Sequence, residues 1–451
     1  MERRNSNHEQ TNPTADKHAA EKLNPLSFLE LQASDFKDCP PPRPISYKEQ
    51  VQMIPNNISI TDRLKDFHME KNGTLKLANK DLKEKQKAVL KKVFTQCAAK
   101  LMEGKNVVGI SLPVNIFHER SSIERITDLF RFFPHFCNKA AETENEIERV
   151  KLLACALVGS CQYQMNQWKP FNPILGETFQ GTFEDGTEIN MEHTSHHPAI
   201  SNFYIIGKKW KCYGAFLYNA KIKPNKIILF PETWCTLKFD DGRSLKFSWP
   251  AMQMGNFILG TRKMSLVRNI IIRSEEAKVK CVIKINREAI RKMMGLLSTW
   301  NYNELYGSLY IYDPIKEQVM IKKKWYDTIY AMDNMSDMET ELEKISGNWL
   351  EFLKFDDKEY WNAKNVDLSM TQKPVEQCLP SSYRYREDIT WLHYNNLDYA
   401  GKWKVLLEVQ QRKDKKCRVI GEEIRKKKEN KDGGNKKKKK GFFSMFSRKK
   451  I

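Results

Sequence analysis

The feature that most restricts this chain is a succession of short strand-like segments, punctuated by turn residues, running from Phe179 to about Lys324. Thr182-Phe183, Phe203–Gly207, Cys212–Tyr218, Lys226–Phe230 and Cys235–Phe239 are rich in aromatic and β-branched residues. Glu184-Asp185-Gly186, Lys223-Pro224-Asn225 and Asp240-Asp241-Gly242-Arg243 separate them as turns. Leu245–Trp249, Asn269–Ile272 and Val279–Ile285 continue the series. This spacing predicts an antiparallel meander that closes towards a barrel, which removes exposed sheet edges. An up-and-down barrel of many strands encloses an interior, and an apolar interior suits a lipid.

The flanks have a different texture. Residues 1–45 are polar and end in Cys39-Pro40-Pro41-Pro42-Arg43-Pro44, where consecutive prolines forbid helix and sheet. Residues 46–80 support only local helix. From Asp81 to Gly104, Val89, Leu90, Val93, Phe94, Cys97, Leu101 and Met102 share one helical face, and lysines fill most of the other. That pattern fits a surface helix packed on the core, or a mobile lid over a ligand or a membrane. An extended segment follows at Val107–Phe117, then helices over about 121–133 and 142–163. After Trp349 the pattern is mixed; a further helix covers about 399–428, before a low-complexity end.

No run reaches the ~18 apolar residues of a membrane-spanning helix, and the polar N-terminus lacks the apolar core of a secretory signal. Ten cysteines are scattered from Cys39 to Cys417 without a CxxC pair. The expectation is free thiols in a reducing compartment, hence a cytoplasmic chain whose membrane contact is peripheral. The net charge is +20, and residues 425–451 hold thirteen Lys and Arg against Glu429 and Asp432. Such a balance suits an anionic partner, nucleic acid or the face of a membrane, and charge alone does not choose.

Three segments set polar side chains on rigid supports. Trp168–Phe179 carries two prolines and a glycine that would hold Lys169 and Asn172 in place. Glu192–Ala199 contains adjacent His196 and His197, which can both donate to one anion at a strand end or bulge but point apart in a regular strand. A zinc site using Glu192, His193 and His196 lacks both the HExxH spacing and a nearby Cys. A Ser195–His catalytic pair lacks the GxSxG frame. Lys404, Glu408 and Arg412 fall at i, i+4 and i+8 of a helix, on nearly one stripe. Taken singly, each segment also fits a structural role.

Their order along the chain resembles the lipid-binding domain of the oxysterol-binding-protein-related family. KPFNPILGETF (169–179) is similar to that family's KPxNPxLGE segment, and SHHPAI (195–200) to its EQVSHHPP fingerprint. LPSSYRYRED (379–388), WKVLLEVQQR (403–412), ISLPVNIF (110–117), MGNFILG (254–260) and ISGNW (345–349) follow the same scheme, so the likeness spans roughly residues 82–420. Two departures stand out: Ala199 replaces the second proline, and His193-Thr194 replace the usual Gln-Val.

The resemblance implies an α+β, mainly β fold: a nearly complete antiparallel barrel with an N-terminal helical lid and C-terminal helices. It implies a lipid-binding domain over 81–424 (lid about 81–117), after a tail over 1–45 and an extension over 46–80. It also implies that Lys169, Asn172, His196, His197, Lys404, Glu408 and Arg412 bind the head group of phosphatidylinositol 4-phosphate. The second lipid would be a sterol or phosphatidylserine, exchanged between organelle membranes with no covalent step, metal or cofactor. The tail over 425–451, with Lys436, Lys437, Lys438, Lys439, Lys440, Phe442, Phe443 and Phe446, fits adsorption to an anionic membrane, lysines adding about 1 kcal/mol each. The rivals are a phosphoinositide sensor or scaffold that moves no lipid, and a basic nucleic-acid binder, for which no zinc-finger or RNP motif is present.

Overall fold

A computed structural model describes residues 39–54, 64–89, 112–166, 168–196, 198–223, 225–256, 260–285, 301–315, 340–365 and 368–446, with backbone alone for 222 and 430–446. The chain divides into two compact units, residues 42–401 and the segment from Lys402 together with the residues through Pro41.

Within the first unit, helix α1 (Tyr47–Met53) begins at a capping box: the Ser46 hydroxyl accepts from Glu49 N, and the Glu49 carboxylate accepts from Ser46 N. Two three-residue strands follow, β1 (Phe67–Met69) and β2 (Leu75–Leu77). Within the extension expected at 46–80, these two strands join the sheet; strands this short leave no readable alternation, yet Leu75 and Leu77 are buried. Residues 80–89 are helical, with Leu82 and Val89 buried. Leu90, Val93, Phe94 and Leu101, expected on the lid face, lie outside the described residues.

Strand β3 (Phe117–Ser121) leads into α2 (Ser122–Ile126), a single 3-10 turn over Thr127–Phe130, α3 (Phe133–Glu142) and α4 (Glu146–Ser160). The helix expected over 121–133 is thus broken. Pro134 has no N–H and is tolerated only in a first turn, so α3 has to start anew there. Asn145 caps α4, its Oδ1 accepting from Ile147 N and Glu148 N, and every residue from Arg149 to Ser160 is buried.

Strand β4 (Lys169–Phe171) pairs in parallel with β3. The remaining strands are β5 (Thr178–Thr182), β6 (Glu188–His196), β7 (Ala199–Ile206), β8 (Trp210–Lys223), β9 (Lys226–Pro231), β10 (Cys235–Phe239) and β11 (Ser244–Phe247). After them come β12 (Ala251–Gly255), β13 (Lys263–Val267), β14 (Ile270–Ser274), β15 (Val279–Ile285), β16 (Glu304–Ile311), β17 (Thr340–Asn348), β18 (Phe352–Phe355), β19 (Lys358–Asn362) and β20 (Lys373–Pro374). All but β3 and β4 join one 18-stranded sheet whose pairings are antiparallel. The meander expected from Phe179 is present, and it continues past Trp349 in β18 and β19.

The sheet branches at the fourteen-residue β8, which pairs with β7 and β10 in its first half and with β9 in its second. One branch runs through β10, β11 and β14 to β19; another through β9, β12, β13 and β2 to β1; the third through β7, β6 and β5 to β20. Among the described residues no ladder joins β19 to β20, so the pairing gives an open, mostly antiparallel sheet with helices rather than a closed barrel.

Its inner face packs on α3 and the turn before it through aromatic rings. Phe130 lies 4.7 Å from Phe203 and 5.6 Å from Trp249, and Phe133 stacks on Trp249 at 5.9 Å. Beside them, Arg120 donates to Glu124 and Asp128, while Arg131 and Gln372 also donate to Asp128. Burial pushes the Asp128 carboxyl up, but Arg120 and Arg131 outweigh it and hold the group well below the usual range.

After α5 (Glu387–His393) in the first unit, the second unit contains most of α6 (Leu397–Phe446), which starts in the first unit, where Asn396 Oδ1 accepts from Tyr399 N as an N-cap. The helix was expected to stop near Lys428. It continues through Gly433-Gly434 and the lysine run to Phe446, so the 424/425 boundary falls inside it. Lysine is a good helix former, which offsets the cost of about 1 kcal/mol at each glycine.

Candidate functional site

Lys169 opens β4 opposite Phe117 of β3. Its ammonium donates to Asn172 Oδ1 at 2.8 Å and to the Pro170 carbonyl at 3.2 Å, and it sits 4.6 Å from the centre of the Phe117 ring. Just before it, Trp168 accepts the Lys85 ammonium over its ring at 5.6 Å, which ties the loop to helix 80–89.

What holds this loop is a buried charge network that sequence reasoning missed. Arg386, 5% exposed, donates to the Asn172 carbonyl at 2.6 Å, to Glu177 at 2.9 Å, and to both oxygens of Asp388 at 3.0 and 2.6 Å. Glu177 also accepts from Ile174 N at 2.9 Å and from the Ser121 hydroxyl. Burial lifts the Glu177 carboxyl above its ordinary range, against the pull of Arg386. Gly176 turns the chain between them at φ +81°, a conformation that a side chain would strain. Arg386 and Asp388 belong to LPSSYRYRED (379–388), but nothing in a string of Ser, Tyr, Arg and acidic residues marks it as buried.

The loop is stitched to the histidine strand. Gly176 N donates to the His193 carbonyl, and His193 N donates to the Glu177 carbonyl, both at 2.9 Å. The ladder between β6 and β7 slips between His193 and Ser195, leaving Thr194 as the extra residue of a bulge. In a regular strand, residues three apart face opposite ways. The bulge resets that alternation, so His193 Nε2 and His196 Nδ1 meet at 3.2 Å. His196 ends β6, the strand-end position that the anion reading required. His197 lies outside the described residues, as do the side chains of Lys436–Lys440, Phe442, Phe443 and Phe446.

On α6, within the second unit, Lys404 is buried and donates to Glu408 at 2.5 Å, while Arg412, more than half exposed, reaches the other Glu408 oxygen at 3.6 Å. The i, i+4, i+8 stripe is real, with one carboxylate bridging two cations. Trp403 Nε1 donates to the Pro40 carbonyl in the same unit.

Cys137, Cys155, Cys161, Cys212, Cys235, Cys281 and Cys378 are free thiols, and burial raises Cys137, Cys155 and Cys212 well above the usual range. Among the described residues no cluster of His, Cys, Asp and Glu is placed to hold a metal, and no helix is long and apolar enough to cross a membrane.

The family model described as oxysterol-binding protein matches residues 96–445. The chain belongs to the oxysterol-binding protein family. It is 30% identical over 349 residues to oxysterol-binding protein 9 of Dictyostelium discoideum, covering 76% of this chain and 79% of that one. It is 26% identical over 332 residues to oxysterol-binding protein-related protein 1C of Arabidopsis thaliana, covering 70% of this chain and only 39% of the larger relative. Among solved structures, the Osh3 ORD of Saccharomyces cerevisiae, crystallised with PI(4)P, superposes with a TM-score of 0.53 at 22% identity over 71% of this chain and 83% of that one. The Osh1 ORD bound to cholesterol gives 0.50 at 18% identity, over 71% and 76%. These likenesses establish the fold of the family domain.

Proposed function

We propose that this oxysterol-binding protein family member binds phosphatidylinositol 4-phosphate by its head group and exchanges it against a second lipid between membranes. The observation that carries the reading is the stitched pair of segments: a loop presenting Lys169 and Asn172, fixed from below by Arg386 and bonded to the strand that ends in His196. A phosphomonoester carries about −1.5 to −2 charges and strong acceptor oxygens. Lys169, His196, His197, Lys404 and Arg412 are the proposed donors and cationic heads, and Asn172 and Glu408 the proposed partners of the inositol hydroxyls. Relatives of the same fold crystallised with PI(4)P, cholesterol or ergosterol support both halves of the exchange.

On this reading the open sheet is the wall of a nearly complete barrel around the acyl chains or the sterol. The helix from residue 80 is the start of its lid, and the basic stretch after Arg425 holds the protein on an anionic membrane. The test is transfer between liposomes: purified protein moves phosphatidylinositol 4-phosphate from donor to acceptor vesicles, faster when the acceptor offers sterol or phosphatidylserine. Binding without transfer would leave a sensor. Mass spectrometry of lipids that co-purify with the chain names the second cargo.

A further inference from the structure

We infer that His193 is a positioning residue for the anion site, the middle link of a hydrogen-bonded chain Ser201–His193–His196 that fixes which nitrogen of His196 carries its proton. The inference rests on the head-group reading above and concerns a position where this chain departs from its family's usual Gln.

His193 is 2% exposed, and both of its ring nitrogens are engaged. Nδ1 lies 3.0 Å from the Ser201 hydroxyl, and Nε2 lies 3.2 Å from His196 Nδ1. The backbone on either side is fixed: His193 faces Ser201 across the β6–β7 ladder and exchanges hydrogen bonds with Gly176 and Glu177. The ring therefore has little freedom to turn, and its plane stands at 80° to that of His196.

Between two neutral imidazoles, one N–H and one lone pair must face each other. Two directions satisfy the chain. In one, Ser201 donates to His193 Nδ1 and His193 Nε2–H donates to His196 Nδ1, so the His196 proton sits on Nε2. In the other, every bond is reversed, and His196 Nε2 carries only a lone pair. An anion at Nε2 accepts hydrogen bonds and repels a lone pair, so it selects the first direction. The serine hydroxyl, which serves as donor or acceptor, lets the whole chain adopt it without losing a bond. A residue at 193 that could not donate to His196 Nδ1 would let the His196 ring turn and divide its proton between both nitrogens. The bulge at Thr194 brings the two rings onto one face and makes the relay possible.

The experiment compares wild type, His193→Phe and His193→Gln for binding of dioctanoyl phosphatidylinositol 4-phosphate by calorimetry, with thermal melts to confirm folding. In parallel, ¹⁵N-labelled histidine spectra report the His196 tautomer. Wild type should show His196 protonated on Nε2 when the probe is bound. His193→Phe should bind about tenfold more weakly or worse, with His196 averaged between tautomers, because the loss is that of one oriented charge-assisted bond. His193→Gln, whose amide can still donate to Nδ1, should recover most of the affinity and the tautomer. Unchanged affinity in His193→Phe, or a His196 tautomer indifferent to residue 193, overturns the inference. A wild type that fails to bind the probe overturns the head-group reading instead; the spectra of the free protein then still decide whether His193 sets the His196 tautomer.

Discussion

Replacing Arg386 with methionine removes a guanidinium that bonds to Asp388 at 3.0 and 2.6 Å, to Glu177 at 2.9 Å and to the Asn172 carbonyl at 2.6 Å. Glu177 and Asp388 are 1% and 0% exposed, so neither carboxylate can turn to water once its partner is gone. Removing one member of a buried pair costs about 3–5 kcal/mol. Burial already lifts the Glu177 carboxyl against the pull of Arg386, and without that cation the rise is larger. A carboxyl whose folded value is raised above the unfolded one keeps a proton that the unfolded chain has lost. Stability is then retained at low pH and lost as pH climbs through the raised value. The Arg386→Met deficit, read by urea unfolding, should therefore be about 3–5 kcal/mol at pH 8 and smaller at pH 5. Adding Glu177→Gln should recover part of it, since a neutral amide needs no counter-charge. Phosphatidylinositol 4-phosphate binding should fall as well, because the Asn172 carbonyl loses its anchor. A deficit equal at both pH values, with no recovery in the double variant, would refute the view that the Arg386–Glu177 pair holds the loop.

Other outcomes follow from the same geometry. Lys169→Ala and His196→Ala should each weaken head-group binding roughly 10- to 150-fold, one charge-assisted bond apiece, and slow liposome transfer while the thermal melt barely moves. Deleting Thr194 removes the bulge and turns His196 to the opposite face; binding should drop at least as far as in His196→Ala, and a variant that binds normally would show that the bulge does not matter. Truncation after Ile424 should lower sedimentation with phosphatidylserine-rich vesicles, and raising salt should lower it for the full chain, because lysine–membrane attraction is screened within a Debye length.

Much of the architecture could be read from local pattern. Val279–Ile285 reads as a strand and forms β15, and the helix expected over about 142–163 contains α4, in which Val150, Leu153, Ala154 and Leu157 are buried. The hairpin of β1 and β2 was not legible, because a three-residue strand holds too few positions to show a period. Nor was α3: the helix expected over about 121–133 ends before Pro134 and the next is expected from about 142, so Phe133–Glu142 falls between them.

At the candidate site the division is sharper. The residue types that could address a phosphate, Lys169, Asn172, His196, His197, Lys404, Glu408 and Arg412, are legible in the sequence, and with them the i, i+4, i+8 geometry of α6, because helical neighbours are fixed by local repeat. Tertiary structure decided what the loop rests on and what it touches. Arg386 lies more than 200 residues from Asn172 and Glu177 along the chain, and its burial is a property of the packed structure rather than of its neighbours in sequence. The bulge at Thr194 was equally hidden, since Glu192-His193-Thr194-Ser195-His196 is polar throughout and offers no alternation from which a one-residue slip could be detected. Side-chain chemistry is a local property, whereas a pairing register and a buried charge exist only between segments that folding brings together.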